Sequence, residues 1–115
     1  GLGYYRRARL LQAAARAIVE RFGGEAPSRV EDLRTLPGVG RYTAGALASI
    51  VFGRREAIVD GNVARVLLRV EGRDGALDEP ATAAWAWERA GAMVRAAGDP
   101  GVFNEALMEL GALVC

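Results

Sequence analysis

The run Leu36-Pro37-Gly38-Val39-Gly40, followed by Arg41-Tyr42-Thr43, constrains the fold of this chain more than any other feature. Proline beside glycine specifies a turn, and the residues behind it favour helix. A turn that opens straight onto a helix leaves the first amide N–H groups without carbonyl partners. Their partial positive charge suits an anion, and a phosphate fits such a position. Gly38 and Gly40 allow backbone angles and a close approach that a side chain forbids, so the amides can converge on one oxygen as a nest. Contacts of that kind hold a nucleic-acid backbone in place without reading its sequence. An ordinary connection between two helices satisfies the same residues, and the turn alone leaves both readings open.

Around the turn the apolar pattern is helical throughout. Leu11, Ala14, Ile18 and Phe22 recur at helical steps between Arg6 and Phe22, and Gly23-Gly24 ends that helix. Val30 and Leu33 form the inward side of a short helix before the turn. The helix after it runs from about Arg41 to Phe52, with Thr43, Ala46, Leu47 and Ile50 on one side, and stops at Gly53. Asp60 opens another, in which Val63, Val66, Leu67 and Val70 repeat at helical spacing. A long helix from about Glu79 to Ala97 and a last one after Asp99-Pro100-Gly101 complete the chain. Ala57-Ile58-Val59-Asp60 has strand-like composition but no partner strand. The expectation is a single all-α domain, residues 1–115, of about six helices without repeats, its hairpin unit lying at about 30–53.

Composition narrows the chemistry. All 15 basic residues are arginine, and there is neither lysine nor histidine. That excludes from this segment Schiff-base catalysis by a lysine, general-base catalysis by a histidine and histidine metal ligation. A formal net charge of +1 makes no general positive field, so a nucleic-acid partner has to be gripped by local amides and a few placed arginines. The single cysteine excludes an internal disulfide framework. No run reaches the length of a membrane span, and the expectation is no membrane partner. The chain opens on Gly-Leu-Gly rather than Met, shows no leader, and reads as a central piece of a longer protein.

Asp60 stands where a helix starts, with Asn62 two residues on. Aspartate is a favoured N-cap, and capping by itself accounts for it. The same place suits catalysis, because the helix dipole favours a negative charge there. Cleaving a glycosidic bond builds positive charge on the sugar, and a fixed carboxylate beside it lowers that barrier. On this stretch alone both readings stand.

The motifs "GLGYY" (1–5), "LPGVGRYTAGA" (36–46), "VDGNVARVL" (59–67) and "FNEALMELGALVC" (103–115) together resemble the helix-hairpin-helix DNA glycosylase superfamily, and within it the MutY-type adenine DNA glycosylases. The resemblance covers nearly the whole chain, in order and at compatible spacing. It implies a six-helix-barrel-type domain containing a helix-hairpin-helix motif. It also implies a base-excision-repair hydrolase that removes adenine mispaired with 8-oxoguanine or guanine in double-stranded DNA. The adenine has to leave the stack first, because its glycosidic carbon is inaccessible inside a duplex.

By the resemblance, Asp60 is the catalytic carboxylate that stabilises an oxocarbenium-like sugar, with or without transient covalent attachment, and Asn62 is its hydrogen-bonding companion. Tyr42 occupies the position where the related endonuclease III type carries a lysine that attacks the sugar. Tyrosine there implies base hydrolysis without strand cleavage. Tyr4 resembles an aromatic wedge inserted beside the oxidised guanine, although two adjacent tyrosines near a helix start also suit a core. Glu105 matches a carboxylate that accepts from the adenine amine, a place some family members fill with glutamine; alone it is an ordinary solvated glutamate. Leu36, Gly38, Val39, Gly40, Arg41, Thr43 and Arg65 are the implied DNA contacts. The carbonyls of Arg34, Leu36 and Val39 match a monovalent-cation site, and Cys115 matches the first of four ligands to a [4Fe–4S] cluster.

The family's general acid and its 8-oxoguanine-recognition domain lie outside these residues, so the 115 residues alone are expected to be inactive. The whole protein is expected to be a monomer, cytoplasmic in a bacterium, or nuclear or mitochondrial in a eukaryote. Two other readings stay open: a relative acting on another mismatched base such as thymine, and a DNA-binding module without catalysis.

Overall fold

Apolar periodicity and glycine punctuation produce six helices in the computed structural model, which describes residues 2–114. α1 spans Leu2–Phe22, α2 Val30–Leu33, α3 Arg41–Ala46, α4 Gly61–Val70, α5 Pro80–Ala96 and α6 Pro100–Glu109. α3 and α6 each continue as a π-helical turn, Leu47–Val51 and Leu110–Val114. α5 and α6 begin with proline, at the one helical position where the missing N–H has no cost. The all-α expectation holds: no strand occurs among the described residues, and residues 57–60 are an irregular approach to α4.

Two apolar clusters hold the helices together. One gathers Val63, Val66 and Leu67 of α4, Ala86 and Ala90 of α5 and Leu107 of α6 around Ile58. Full burial of a Val or Leu side chain stabilises by roughly 1.5–3 kcal/mol, so the stripe of α4 is the anchor of this cluster. The other joins Ala14 and Ala17 of α1 to Leu33, Leu36, Ala44 and Ala48 on either side of the turn. Between the clusters, buried Asn104 ties three segments. Its Nδ2 donates to Ser49 Oγ and to the Glu56 carbonyl, both at 2.9 Å, and Ser49 Oγ donates to the Gly45 carbonyl at 2.7 Å.

In three helices the buried face departs from the apolar pattern. Leu11 of α1 is 74% exposed, while Ala14, Ile18 and Phe22 of the same stripe face the core as expected, joined by Ala17 and by Leu10 against the turn. Gly38 has φ +79°, and a Cβ on it would sit 3.0 Å from Leu10 Cβ. Only glycine meets both the angle and the closeness. In α3 and its π turn Ala44, Gly45, Ala48 and Ser49 are buried, while Thr43 and Ile50 face solvent. Val70, in the last turn of α4, is also exposed. For α1 and α3 the reason is shared: segments that pack closely bury their smallest residues, and a pattern of large apolar side chains passes over them. A Cβ on Gly45 would lie 2.2 Å from the Ala57 carbonyl oxygen.

Gly45→Ala is therefore expected to destabilise the protein by about 1–3 kcal/mol, the cost of overpacking against backbone that cannot swing away. Gly98, where an added Cβ meets nothing within 4 Å, is the control and should tolerate alanine. Chemical denaturation of the two variants compares them, and equal stabilities would mean that α3 has room beside Ala57.

Candidate active site

α2, the turn and α3 make a helix-hairpin-helix unit. The turn closes through a hydrogen bond from the Val39 N–H to the Leu36 carbonyl at 3.1 Å. α3 starts at Gly40, whose carbonyl accepts from the Ala44 N–H at 2.9 Å. Gly40 supplies no side-chain cap, so the first amides of α3 keep their free donors. Gly38, Gly40 and Thr43 beside them are exposed, while Leu36 is buried as the foot of the turn. The carbonyls of Arg34, Leu36 and Val39 flank this turn, and that of Leu36 is already used within it.

α4 begins differently. Asp60 is its N-cap, in extended backbone conformation, and Asp60 Oδ1 accepts from the Val63 N–H at 2.8 Å. The buried Ile58 and Val59 immediately before it fix its position. The cap and the catalytic carboxylate are thus compatible readings of one geometry: the bond that caps the helix also aims the side chain. The other oxygen, Oδ2, accepts no hydrogen bond among the described residues.

Tyr42, on the first turn of α3, is brought to this carboxylate. Its hydroxyl donates to Met108 Sδ of α6 at 2.7 Å. Its pKa is raised above the ordinary 10.0, first by burial and then by the negative charge of Asp60. Both causes disfavour a second anion, so the phenol stays neutral beside the carboxylate. Asn62 is half-buried, and its Oδ1 accepts from Arg65 Nη1 at 3.2 Å. The same Nη1 donates to the Gly111 carbonyl at 3.2 Å. A Cβ on Gly111 would fall 2.7 Å from the Asn62 carbonyl oxygen, so the π turn of α6 lies directly on the first turn of α4.

The remaining residues stand apart from this group. Arg41 stacks over the Trp87 ring of α5, 3.8 Å from its centroid. Tyr4 is 77% exposed near the start of α1, and Glu105 is exposed on α6 next to buried Asn104. Cys115 lies outside the described residues. Among those described, no group of three or more His, Cys, Asp or Glu side chains is placed to hold a metal. Three participants were not marked by sequence reasoning: Met108 as the partner of Tyr42, Trp87 as the seat of Arg41, and Gly111 as the second acceptor of Arg65. Only Met108 carries a sequence signal, its four-residue spacing from Asn104 on one face of α6.

The sequence matches the helix-hairpin-helix motif over residues 21–50. A solved structure of a thermostable thymine-DNA glycosylase superposes on 95% of the chain and 49% of its own length, with a TM-score of 0.76 and 32% identity. The fold is that of the helix-hairpin-helix DNA glycosylases. Within that class the chain is similar over its full length to adenine DNA glycosylases. It is 53% identical over 116 residues to the adenine DNA glycosylase of Homo sapiens and 44% identical over 115 residues to that of Arabidopsis thaliana, with 100% of the chain covered in both cases. It spans 21% and 18% of the length of those two relatives.

The raised pKa of Tyr42 has a measurable sign. Its folded-state value lies above the unfolded one, so the stabilisation is complete below pH 10.0 and fades as pH rises through the folded value. The phenolate absorbance lost on Tyr42→Phe substitution should titrate with a midpoint above 10.0, and Asp60→Asn should bring that midpoint down. A midpoint at or below 10.0 would separate Tyr42 from the carboxylate.

Proposed function

We propose that this segment carries the catalytic carboxylate of a monofunctional adenine DNA glycosylase, and that its substrate is double-stranded DNA with adenine opposite 8-oxoguanine or guanine. The observation that carries the reading is the carboxylate of Asp60, pinned by the Val63 amide with its second oxygen unengaged and a neutral phenol beside it. The relatives named above support adenine as the base, at 53% identity against 32% for the thymine-acting structure.

In this mechanism the free amides of the hairpin hold the DNA backbone, and the adenine turns out of the stack. The bond between sugar carbon and adenine nitrogen breaks with its electron pair leaving on the base. The sugar becomes electron-poor, and Asp60 offsets the charge. Water then adds to the sugar carbon and loses a proton, leaving an abasic site. Tyr42 has no amine to form a Schiff base, so the strand is not cut. Arg65 holds Asn62 from behind by its bond to Oδ1 and leaves the Asn62 amide group for the sugar. Tyr4 serves as the wedge and Glu105 as the reader of the adenine amine, both from exposed positions. The cluster for which Cys115 is the matching ligand takes no part in these steps.

The test uses the full-length protein and a duplex with adenine opposite 8-oxoguanine. Wild type should release adenine without nicking the strand. Asp60→Asn should bind the duplex as before and slow release by about a hundredfold or more, the scale of a lost electrostatic stabiliser. Thymine release from a guanine mispair in place of adenine release would move the assignment to a thymine-acting relative. No base release at all would leave a DNA-gripping module.

A further inference from the structure

Away from Asp60, a cavity of about 160 Å³ opens between α3, α5 and the segment leading into α4. Arg41, Arg55, Arg95, Glu56, Trp87 and Gly91 line it. Three guanidinium groups against one carboxylate is a concentrated positive lining for a chain whose formal net charge is only +1. One of the three is committed. Arg55 Nη1 donates to the carbonyls of Val94 at 3.1 Å, Arg95 at 3.2 Å and Ala97, closing the C-terminal end of α5.

The other two are not. Arg41 has only the face of Trp87 under it, and neither Arg41 nor Arg95 makes an ion pair or side-chain hydrogen bond among the described residues. Arg95 is folded down into the cavity over Gly91: a Cβ on Gly91 would lie 3.0 Å from Arg95 Nη1. A glycine inside a helix lowers helix stability relative to alanine, and what it provides here is a seat for that guanidinium. An aromatic platform holds one planar fork, a glycine seats another, and neither has an anion.

We propose that this cavity is a phosphate-binding site. Paired guanidinium forks match the oxygens of a phosphate group with charge-assisted hydrogen bonds, and the Glu56 carboxylate on the lining opposes part of that attraction. Arg41 directly follows Gly40 of the hairpin, so the cavity lining reaches to within one residue of the amides proposed to grip a duplex. The phosphate group comes either from that duplex or from solution as free phosphate. The first source rests on the proposed function and the second does not.

Titration calorimetry of inorganic phosphate into the full-length protein, with chloride as the matched control, reads the site directly. Saturable binding is expected in wild type, weakened about tenfold or more in the double variant Arg41→Gln, Arg95→Gln. Both side chains are exposed, and circular dichroism verifies that the fold is kept. Gly91→Ala retains every charge but crowds Arg95, and should also weaken phosphate binding. If the duplex supplies the phosphate, duplex and phosphate compete, and the salt dependence of duplex affinity becomes shallower by about one unit of log–log slope in the double variant. An unchanged slope with phosphate binding intact in wild type assigns the site to free phosphate. Absence of saturable phosphate binding in wild type, or binding untouched in both variants, overturns the proposal. None of these readouts depends on base release, so loss of this site and loss of the glycosylase reading are separately visible.

Discussion

Asp60 puts its two carboxylate oxygens to separate uses. One closes the first turn of α4 through the Val63 amide, and the other accepts no hydrogen bond among the described residues. That hydrogen bond sets where the helix begins, and the helix in turn supplies the largest stripe of the main apolar cluster. The residue proposed to do chemistry is therefore also the residue that starts the element holding it in place. A catalytic carboxylate gains by such an arrangement, because orientation provided by the fold does not have to be provided again when the substrate arrives.

The surroundings of that carboxylate are assembled from positions where side chains are absent. Gly45 lets the Ala57 carbonyl approach α3, Gly101 lets Ser49 approach α6, and Gly111 lets Asn62 approach the final π turn. These contacts bring Tyr42, Asp60, Asn62 and Met108 to neighbouring places from three different helices. Polar joints then hold the register: Asn104 between α6 and the segment before Asp60, and Arg65 between α4 and the end of α6. Close approach supplies the geometry and the hydrogen bonds make it unique.

Chemically, the pair of Tyr42 and Asp60 excludes as much as it permits. Burial and the adjacent negative charge keep the phenol protonated, so it offers a neutral donor and no nucleophilic amine. None of the 115 residues is a lysine. Hydrolysis through a stabilised sugar cation is the chemistry proposed for this pair, with the hairpin proposed to hold the DNA while it happens. Several arginines have partners inside the fold, Arg73 on the Trp85 ring and Arg55 and Arg65 on backbone carbonyls.

Much of this was legible in the residues themselves. The helices followed from apolar spacing and glycine stops, the hairpin from Leu36 to Gly40, and the N-cap role of Asp60 from its place before an apolar stripe. Those features are local, since a turn angle or a cap depends on residues a few places apart. Leu11 of α1 and Thr43 and Ile50 after the hairpin face solvent although the apolar pattern turns them inward, because alanine and glycine carry little apolar signal yet decide which side of a helix can be approached. The seat of Arg41 on Trp87, the reach of Tyr42 to Met108 and the double hold of Arg65 were beyond the sequence altogether. Each joins residues far apart in the chain, and such pairs exist only after packing has chosen which helix faces meet. Sequence alone thus determined the elements and the chemical types available. Tertiary structure decided which of them share a site, because that depends on distances through space that no local pattern encodes.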